Sequence, residues 1–152
     1  QYHQKFRDNV RGAIFAAAAG DPSMAAVRDA INGSGPYISG AKAYNYVELH
    51  DEAWPSSGGQ RMVKTIDPVA PHDDVWAKGR QKLAHGLLFV APGVPIVLQG
   101  TEWLESNDFG ADAVNRIDWS KKTTYAGVFQ YYKRLIGLRR LVASSGDRPS
   151  SP

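Results

Sequence analysis

Residues 93–100, GVPIVLQG, form a short and almost wholly apolar run with a glycine at each end. A strand that alternates apolar and polar residues covers one face of a sheet, whereas a strand buried on both faces is apolar throughout. The length of the run and its turn-forming ends favour a strand over a helix. It therefore predicts a buried strand of a parallel sheet, and with it the α/β class.

A second strand is predicted at residues 41–49, and a polar triplet follows it. Val47 and Leu49 are apolar, and His50, Asp51 and Glu52 come directly after them. Side chains at the carboxyl ends of parallel strands project into the cleft where such proteins bind their substrates. The triplet is therefore a candidate sugar-binding or acid–base site.

Four segments show the apolar spacing of amphipathic helices, namely residues 4–19, 24–31, 75–90 and 125–141. On the third helix we expect an inner face, made of Trp76, Leu83, Leu87 and Leu88. On the fourth we expect a buried stripe, made of Val128, Phe129, Tyr132, Leu135, Ile136 and Leu138.

Two long polar segments, residues 53–74 and 101–120, follow the two predicted strands. Loops of this length inside a compact domain are usually functional, and we expect the first to lie over the site. The resulting order of elements is the β/α series of a parallel barrel.

Two strands are too few to close a TIM-type (β/α)8 barrel, which needs about 250 residues. We therefore expect the C-terminal β/α units of such a barrel in residues 1–143, a fragment and not a complete barrel. Residues 144–152 are rich in Ser, Gly and Pro, and indicate a linker or a truncated tail.

The composition excludes several kinds of site. The chain of 152 residues has no cysteine, which rules out disulfides and thiolate zinc sites. His3, His72 and His85 have no metal-ligand spacing, so we expect core or solvated histidines, no bound metal and no cofactor.

Charge and hydropathy exclude two classes of partner. The net charge is only +3 and the basic residues are scattered, so no nucleic-acid partner is expected. The longest apolar run, residues 87–98, is broken by prolines and is shorter than the roughly 20 residues of a membrane-spanning helix. No signal-peptide pattern opens the sequence, and we expect a cytoplasmic protein.

Five segments together resemble the α-amylase superfamily. Residues 5–12 (KFRDNVRG) are similar to the segment before the seventh barrel strand in pullulanase, isoamylase and branching-type members. Residues 45–52 (NYVELHDE) and 93–103 (GVPIVLQGTEW) resemble strands seven and eight. Residues 117–120 (IDWS) and 131–140 (YYKRLIGLRR) resemble the segment and the helix that follow strand eight. The resemblance covers nearly the whole chain and implies strands 7 and 8 with their helices.

The resemblance implies roles for two residues of the triplet. Asp51 matches the third carboxylate of the family, a transition-state stabiliser that hydrogen-bonds the sugar 2- and 3-hydroxyls and helps to distort the ring. His50 matches a donor to the same hydroxyls. The nucleophilic Asp and the acid–base Glu of the family lie on strands four and five, and no segment of this chain matches them. This chain alone is therefore expected to be inactive.

Other residues have two interpretations at this point. Glu52 either contacts sugar at an acceptor subsite or orients its loop. Trp54 and Trp103 are candidate stacking platforms for the apolar face of a sugar or anchors of their loops, and the anchor is favoured for Trp103. We expect Glu102 to tie its loop to a nearby basic residue, and Trp119 to lie in the core.

The resemblance implies an α-1,4-glucan such as glycogen or starch as the substrate of the parent enzyme. The Glu after His-Asp and the run at residues 118–121 (DWSK) are closest to glycogen branching enzymes, which transfer a glycosyl unit to a 6-hydroxyl. Hydrolysis, as in an α-amylase or a pullulanase, is the alternative. A third possibility is an isolated noncatalytic domain that binds the rest of the parent chain, or a second copy, through open sheet edges.

Overall fold

The computed structural model describes residues 2–16, 23–32, 43–110 and 116–144, with side chains described as far as Leu141. These ranges contain six helices: α1 (Gln4–Ala16), α2 (Met24–Ile31), α3 (Met62–Ile66), α4 (Val75–Val90), α5 (Lys121–Thr124) and α6 (Ala126–Ser144). They also contain two strands, β1 (Tyr44–Asn45) and β2 (Val94–Pro95), and two short 3-10 turns, Pro55–Ser57 and Thr101–Trp103. Ser144 ends α6, and the rest of the predicted tail lies outside the described residues.

The two predicted strands are neighbours and run parallel, as expected. Tyr44 lies opposite Val94, and Asn45 lies opposite Pro95. The N–H of Val94 donates to the carbonyl of Ala43 at 2.8 Å. Both strands are shorter than predicted, since a strand extends only as far as its residues find hydrogen-bonding partners, and a sequence pattern does not show those partners.

A third strand position precedes α1. Tyr2 pairs with Tyr44 in a parallel bridge on the other side of β1, and the N–H of His3 donates to the carbonyl of Tyr44 at 3.0 Å. The His3 Nδ1 lies 2.8 Å from the Asn45 amide oxygen. This position was not predicted, because a single bridge leaves no periodic signal.

Helix α1 covers the main apolar core. Its buried residues Phe6, Val10 and Ile14 recur four positions apart and form one face, as predicted. They pack in one cluster with Val47, which precedes the His50–Asp51 pair, and with Leu88 of α4. The core thereby fixes the base of the loop that carries the candidate site.

The segment expected to be a long polar loop, residues 53–74, contains the short helix α3. Met62 and Val63 of this helix are buried in the two core clusters. The prediction of a loop throughout this segment was wrong, because the three apolar residues Met62, Val63 and Ile66 span only one helical turn and are too few to show a period. Their burial holds the second half of the segment against the core.

Helix α4 presents a different face to the core from the one predicted. Leu88 is buried, but Trp76 and Leu83 are 67% and 56% exposed. The buried face includes small and polar residues: Ala77, Gln81, Ala84, His85, Leu88 and Phe89. Alanines allow α4 to approach its neighbours closely, and an apolar count gives them too little weight.

The apolar stripe of α6 is only partly buried. Val128 and Tyr132 lie in the second core cluster, whereas Ile136 and Leu138 are 47% and 54% exposed. Trp119, expected in the core, is 57% exposed. Val128 and Tyr132, in the first half of α6, are therefore the part of the predicted stripe that is packed into the core.

Arg139 joins α6 to the end of α4. Its guanidinium donates to the carbonyl oxygens of Phe89, Ala91 and Gly93. Carbonyls at a helix C-terminus lack intrahelical partners, so a cation there satisfies them and stabilises the helix dipole. The arginine fixes the turn that leads into β2.

His85 makes the fold sensitive to acid. It is buried against Tyr132, with ring centroids 5.1 Å apart, and burial lowers its pKa from 6.5 to about 4. The unfolded chain therefore binds a proton that the folded chain does not, and stability falls as the pH drops from 6.5 towards 4. We expect a loss of about 3 kcal/mol from this group. Urea unfolding at several pH values should show a shallower acid slope in His85→Leu, and equal slopes would contradict the assignment.

Candidate active site

The predicted pair, His50 and Asp51, lies in the loop after β1, outside the core. Val47 is fully buried, whereas the side chains of His50 and Asp51 are 56% and 81% exposed. The N–H of Ala53 donates to the carbonyl of His50 at 3.1 Å, which closes a tight turn. The His50 Nε2 lies 3.1 Å from the Asp51 Oδ1. An exposed carboxylate beside an imidazole, at the carboxyl end of a parallel strand, can accept and donate hydrogen bonds to a polar substrate.

Glu52 faces the protein instead of the solvent. Its Oε2 accepts the N–H of Leu49 at 2.8 Å, and its Oε1 accepts from the guanidinium of Arg7. The side chain is 14% exposed. Of the two interpretations of Glu52, these contacts favour the one in which it orients the loop. Its assignment as a substrate-binding residue stays a prediction.

Both arginines of the segment at residues 5–12 contact this loop. Arg7 binds Glu52, and the Arg11 guanidinium donates to the carbonyl of Val47 at 3.0 Å. The two residues are four positions apart on α1, so they lie on the same face of the helix. Through these two contacts, α1 fixes the position of the loop that carries His50 and Asp51.

Glu48 is a buried carboxylate beneath the candidate site that the sequence interpretation did not single out. It is 2% exposed, and its carboxylate accepts the N–H of Met62 at 2.6 Å and the hydroxyl of Thr101 at 3.0 Å. Burial raises the pKa of Glu48, and the Arg61 guanidinium, 3.9 Å away, opposes that rise. The available signal was a glutamate inside an otherwise apolar strand, since a buried charge requires a partner.

Arg61 connects the loops that follow the two strands. It is 2% exposed, and its guanidinium donates to the carbonyls of Gln99 at 3.0 Å and Asn107 at 2.9 Å. Its backbone N–H donates to the Asp108 carboxylate at 3.0 Å. Asp108 also accepts from Lys64 at 2.6 Å. These bonds fix the two loops relative to each other.

An aromatic cluster lies beside the His50–Asp51 pair, made of His50, Trp54 and Phe109. The Phe109 ring centroid lies 5.6 Å from that of Trp54 and 5.7 Å from that of His50. Trp54 and Phe109 are 36% and 38% exposed. Phe109 comes from the loop after β2, and its N–H donates to the carbonyl of Ala53 at 2.9 Å. The sequence analysis did not predict Phe109 as a site residue.

Glu105 fixes the loop after β2 through contacts with Asn107 and Lys121. The buried carboxylate accepts the N–H of Asn107 at 2.8 Å and the ammonium of Lys121 at 2.9 Å. Gly100 at the start of the loop has φ +97°, and a Cβ there would lie 2.6 Å from the Glu105 Cβ, so only glycine fits.

Glu102 and Trp103 have local roles. Glu102 accepts the N–H of Gly100 at 2.9 Å, so it closes its own turn in place of the basic partner that was predicted. Trp103 is 2% exposed, which confirms the loop-anchor interpretation, and its ring lies 5.1 Å from that of Trp119. Trp119 therefore packs on the anchor from the solvent side.

Two further features are absent from the residues that the structure describes. Within residues 2–16, 23–32, 43–110 and 116–144, no group of three or more His, Asp or Glu side chains is arranged to hold a metal ion. Over the same part of the chain, no helix has the length and apolarity needed to cross a membrane.

The curated proteins that are similar to this chain include a pullulanase and a trehalohydrolase, while no family model matches it. The pullulanase of Bacillus subtilis strain 168 is 27% identical over 160 residues, which cover 91% of this chain and 21% of the pullulanase. The malto-oligosyltrehalose trehalohydrolase of Saccharolobus solfataricus is 29% identical over 72 residues, which cover 47% of this chain and 11% of that protein. The chain thus spans about a fifth or less of the length of these relatives.

Solved pullulanases share the fold of this chain. The Anoxybacillus sp. LM18-11 enzyme in complex with maltotetraose aligns with a TM-score of 0.71 and 28% identity, over 91% of this chain and 21% of its own. The Bacillus subtilis type I enzyme in complex with maltose aligns with a TM-score of 0.70 and 26% identity, over the same shares. The homologues of this chain are α-amylase superfamily glycoside hydrolases, and it corresponds to one part of them.

Proposed function

We propose that this chain forms the last two β/α units of the catalytic barrel of an α-glucan-acting enzyme. The exposed His50–Asp51 pair carries this proposal, because it lies in the loop that follows the carboxyl end of β1, where a parallel barrel places its active site. Asp51 would hydrogen-bond the hydroxyls of the sugar at the reacting centre, and His50 would donate to the same sugar. Such bonds strengthen in the transition state of glycoside cleavage.

The nucleophile and the acid–base residue would come from the rest of a longer polypeptide. Exposure of the small sheet supports the proposal of a longer polypeptide. Tyr44 of β1 and Val94 of β2 are 43% and 46% exposed, although strands of a parallel sheet are normally covered on both faces. The same exposure would promote self-association of this segment by itself, the alternative open from the sequence. A cytoplasmic location stays a prediction.

Hydrolysis of an α-glucan is the activity that the relatives favour, since they include a pullulanase and a malto-oligosyltrehalose trehalohydrolase. Branching remains a second candidate, supported by the similarity of residues 118–121 and of Glu52 to branching enzymes. The contacts of Glu52 with Arg7 and Leu49 weaken this second support, because they explain the glutamate without an acceptor sugar.

Proton NMR of the full-length protein that carries this segment separates the activities. We expect pullulan to lose α-1,6 anomeric signal while new reducing ends appear, because hydrolysis releases one reducing end for each bond cleaved. Amylose that gained α-1,6 signal without reducing ends would establish branching instead. Reducing ends from amylose alone would indicate an α-amylase. No change in either substrate, with a folded protein, would contradict the proposal.

A further inference from the structure

We propose that Phe109 and Trp54 form a stacking platform for successive glucosyl residues of the α-glucan, next to the sugar that Asp51 contacts. This inference rests on the proposed function and adds to it a subsite built from both loops. Phe109 is the residue that decides it, because the loop after β2 supplies no other ring to the aromatic cluster within the described residues.

The position of the two rings suits a sugar. They lie 5.6 Å apart, each is more than one-third exposed, and the His50 ring beside them belongs to the polar pair. A pyranose has apolar C–H faces and a rim of hydroxyls, so it binds best where aromatic surface adjoins hydrogen-bonding groups. His50 and Asp51 supply those groups at the edge of the platform.

The platform is held in place before any ligand arrives. Phe109 is bonded through its N–H to Ala53, directly before Trp54, and it follows Asp108, which binds both Arg61 and Lys64. A binding surface that is already ordered loses less conformational entropy on association, so its contacts contribute more to affinity. These hydrogen bonds on either side of the rings fit an ordered binding surface better than a mobile loop.

The tilt of the rings favours an α-linked glucan. The planes of Phe109 and Trp54 meet at 48°, so the surface is bent and not flat. An α-1,4-glucan coils, and its successive rings are inclined to each other, whereas a β-1,4-glucan is a flat ribbon. We therefore expect maltotetraose to bind and cellotetraose not to bind at this place.

Binding of maltotetraose to the full-length protein tests the platform. Stopped-flow tryptophan fluorescence gives the Kd before turnover begins. Phe109→Ala is expected to raise the Kd about tenfold, in line with the loss of a well-packed aromatic contact. Phe109→Tyr keeps a ring and should stay within about twofold of the parent. Trp76→Ala, which removes an exposed aromatic residue of α4 outside the cluster, is the matched control and should not change the Kd.

The opposite result is equally well defined. An unchanged Kd in folded Phe109→Ala, or equal binding of cellotetraose, would overturn the platform. If Phe109→Ala does not fold, Phe109→Leu keeps the apolar volume without the ring, and the same tenfold criterion applies. The Asp51→Asn variant separates this failure from that of the proposed function: turnover lost with Asp51→Asn but a normal Kd in Phe109→Ala removes only the platform.

Discussion

Asp51→Asn is expected to lower turnover of an α-glucan by the full-length protein about 10³-fold. Hydrogen bonds to the sugar that strengthen in the transition state supply several kcal/mol, and each 1.4 kcal/mol corresponds to about a factor of ten in rate. An amide keeps the shape of the side chain but loses the negative charge. Initial rates of reducing-end release measure the effect. A rate near that of the parent protein would remove Asp51 from the mechanism.

The same substitution should leave the thermal midpoint unchanged. The Asp51 side chain is 81% exposed, and its contact with His50 lies in solvent, so neither packing nor a buried contact is lost. Asp29→Asn is the matched control, because Asp29 is an exposed carboxylate on α2, away from the candidate site. We expect full turnover in this variant. Equal losses in both variants would show a general effect of surface charge.

Arg61→Leu is expected to lower the free energy of unfolding by about 3–5 kcal/mol, because it removes the main cationic partner of the buried Glu48 carboxylate. It also removes the two hydrogen bonds from the guanidinium to the Gln99 and Asn107 carbonyls. The free energy of unfolding from urea titration measures the loss. A loss below about 1 kcal/mol would show that the 3.9 Å separation from Glu48 makes the pair weak.

A second variant and the pH identify the cause of that loss. Glu48→Gln removes the charge, so adding it to Arg61→Leu should recover part of the lost stability. Burial raises the pKa of Glu48, and a raised pKa in the folded state means that stability is lost as the pH rises through it. The deficit of Arg61→Leu should therefore shrink as the pH falls towards 4.5, the ordinary value for glutamate. A deficit that does not change with pH would attribute the loss to the carbonyl bonds.

Of the candidate site, the sequence predicted the position of the residues that follow the strands, but not the contacts between the loops. The apolar run before His50 and Asp51 predicted their position, and the structure places both side chains in solvent in the loop after β1. Whether they contact a sugar, as assigned, stays a prediction for both residues and for Trp54. The contact between Trp54 and Phe109 joins two loops that are distant in the sequence, and no local pattern encodes it.

The helices were predicted better as elements than as faces. The spacing of apolar residues located α1, α2, α4 and α6, because a period near 3.6 residues is a local property. It misplaced the buried face of α4, where Trp76 is exposed and Gln81 is buried. A helical face is chosen by what packs against it, and the alanines and Gln81 fit close to the rest of this fold.

The sequence by itself determined where the main helices and the two short strands lie and that His50 and Asp51 follow the first strand, because these features follow from local patterns. Only the tertiary structure decided which carboxylates remain available. Asp51 is exposed, Glu52 is bound by Arg7, and Glu48 is buried between Met62 and Thr101. The physical reason is that desolvation and pairing act on a charge through its neighbours in space, and those neighbours come from distant parts of the chain.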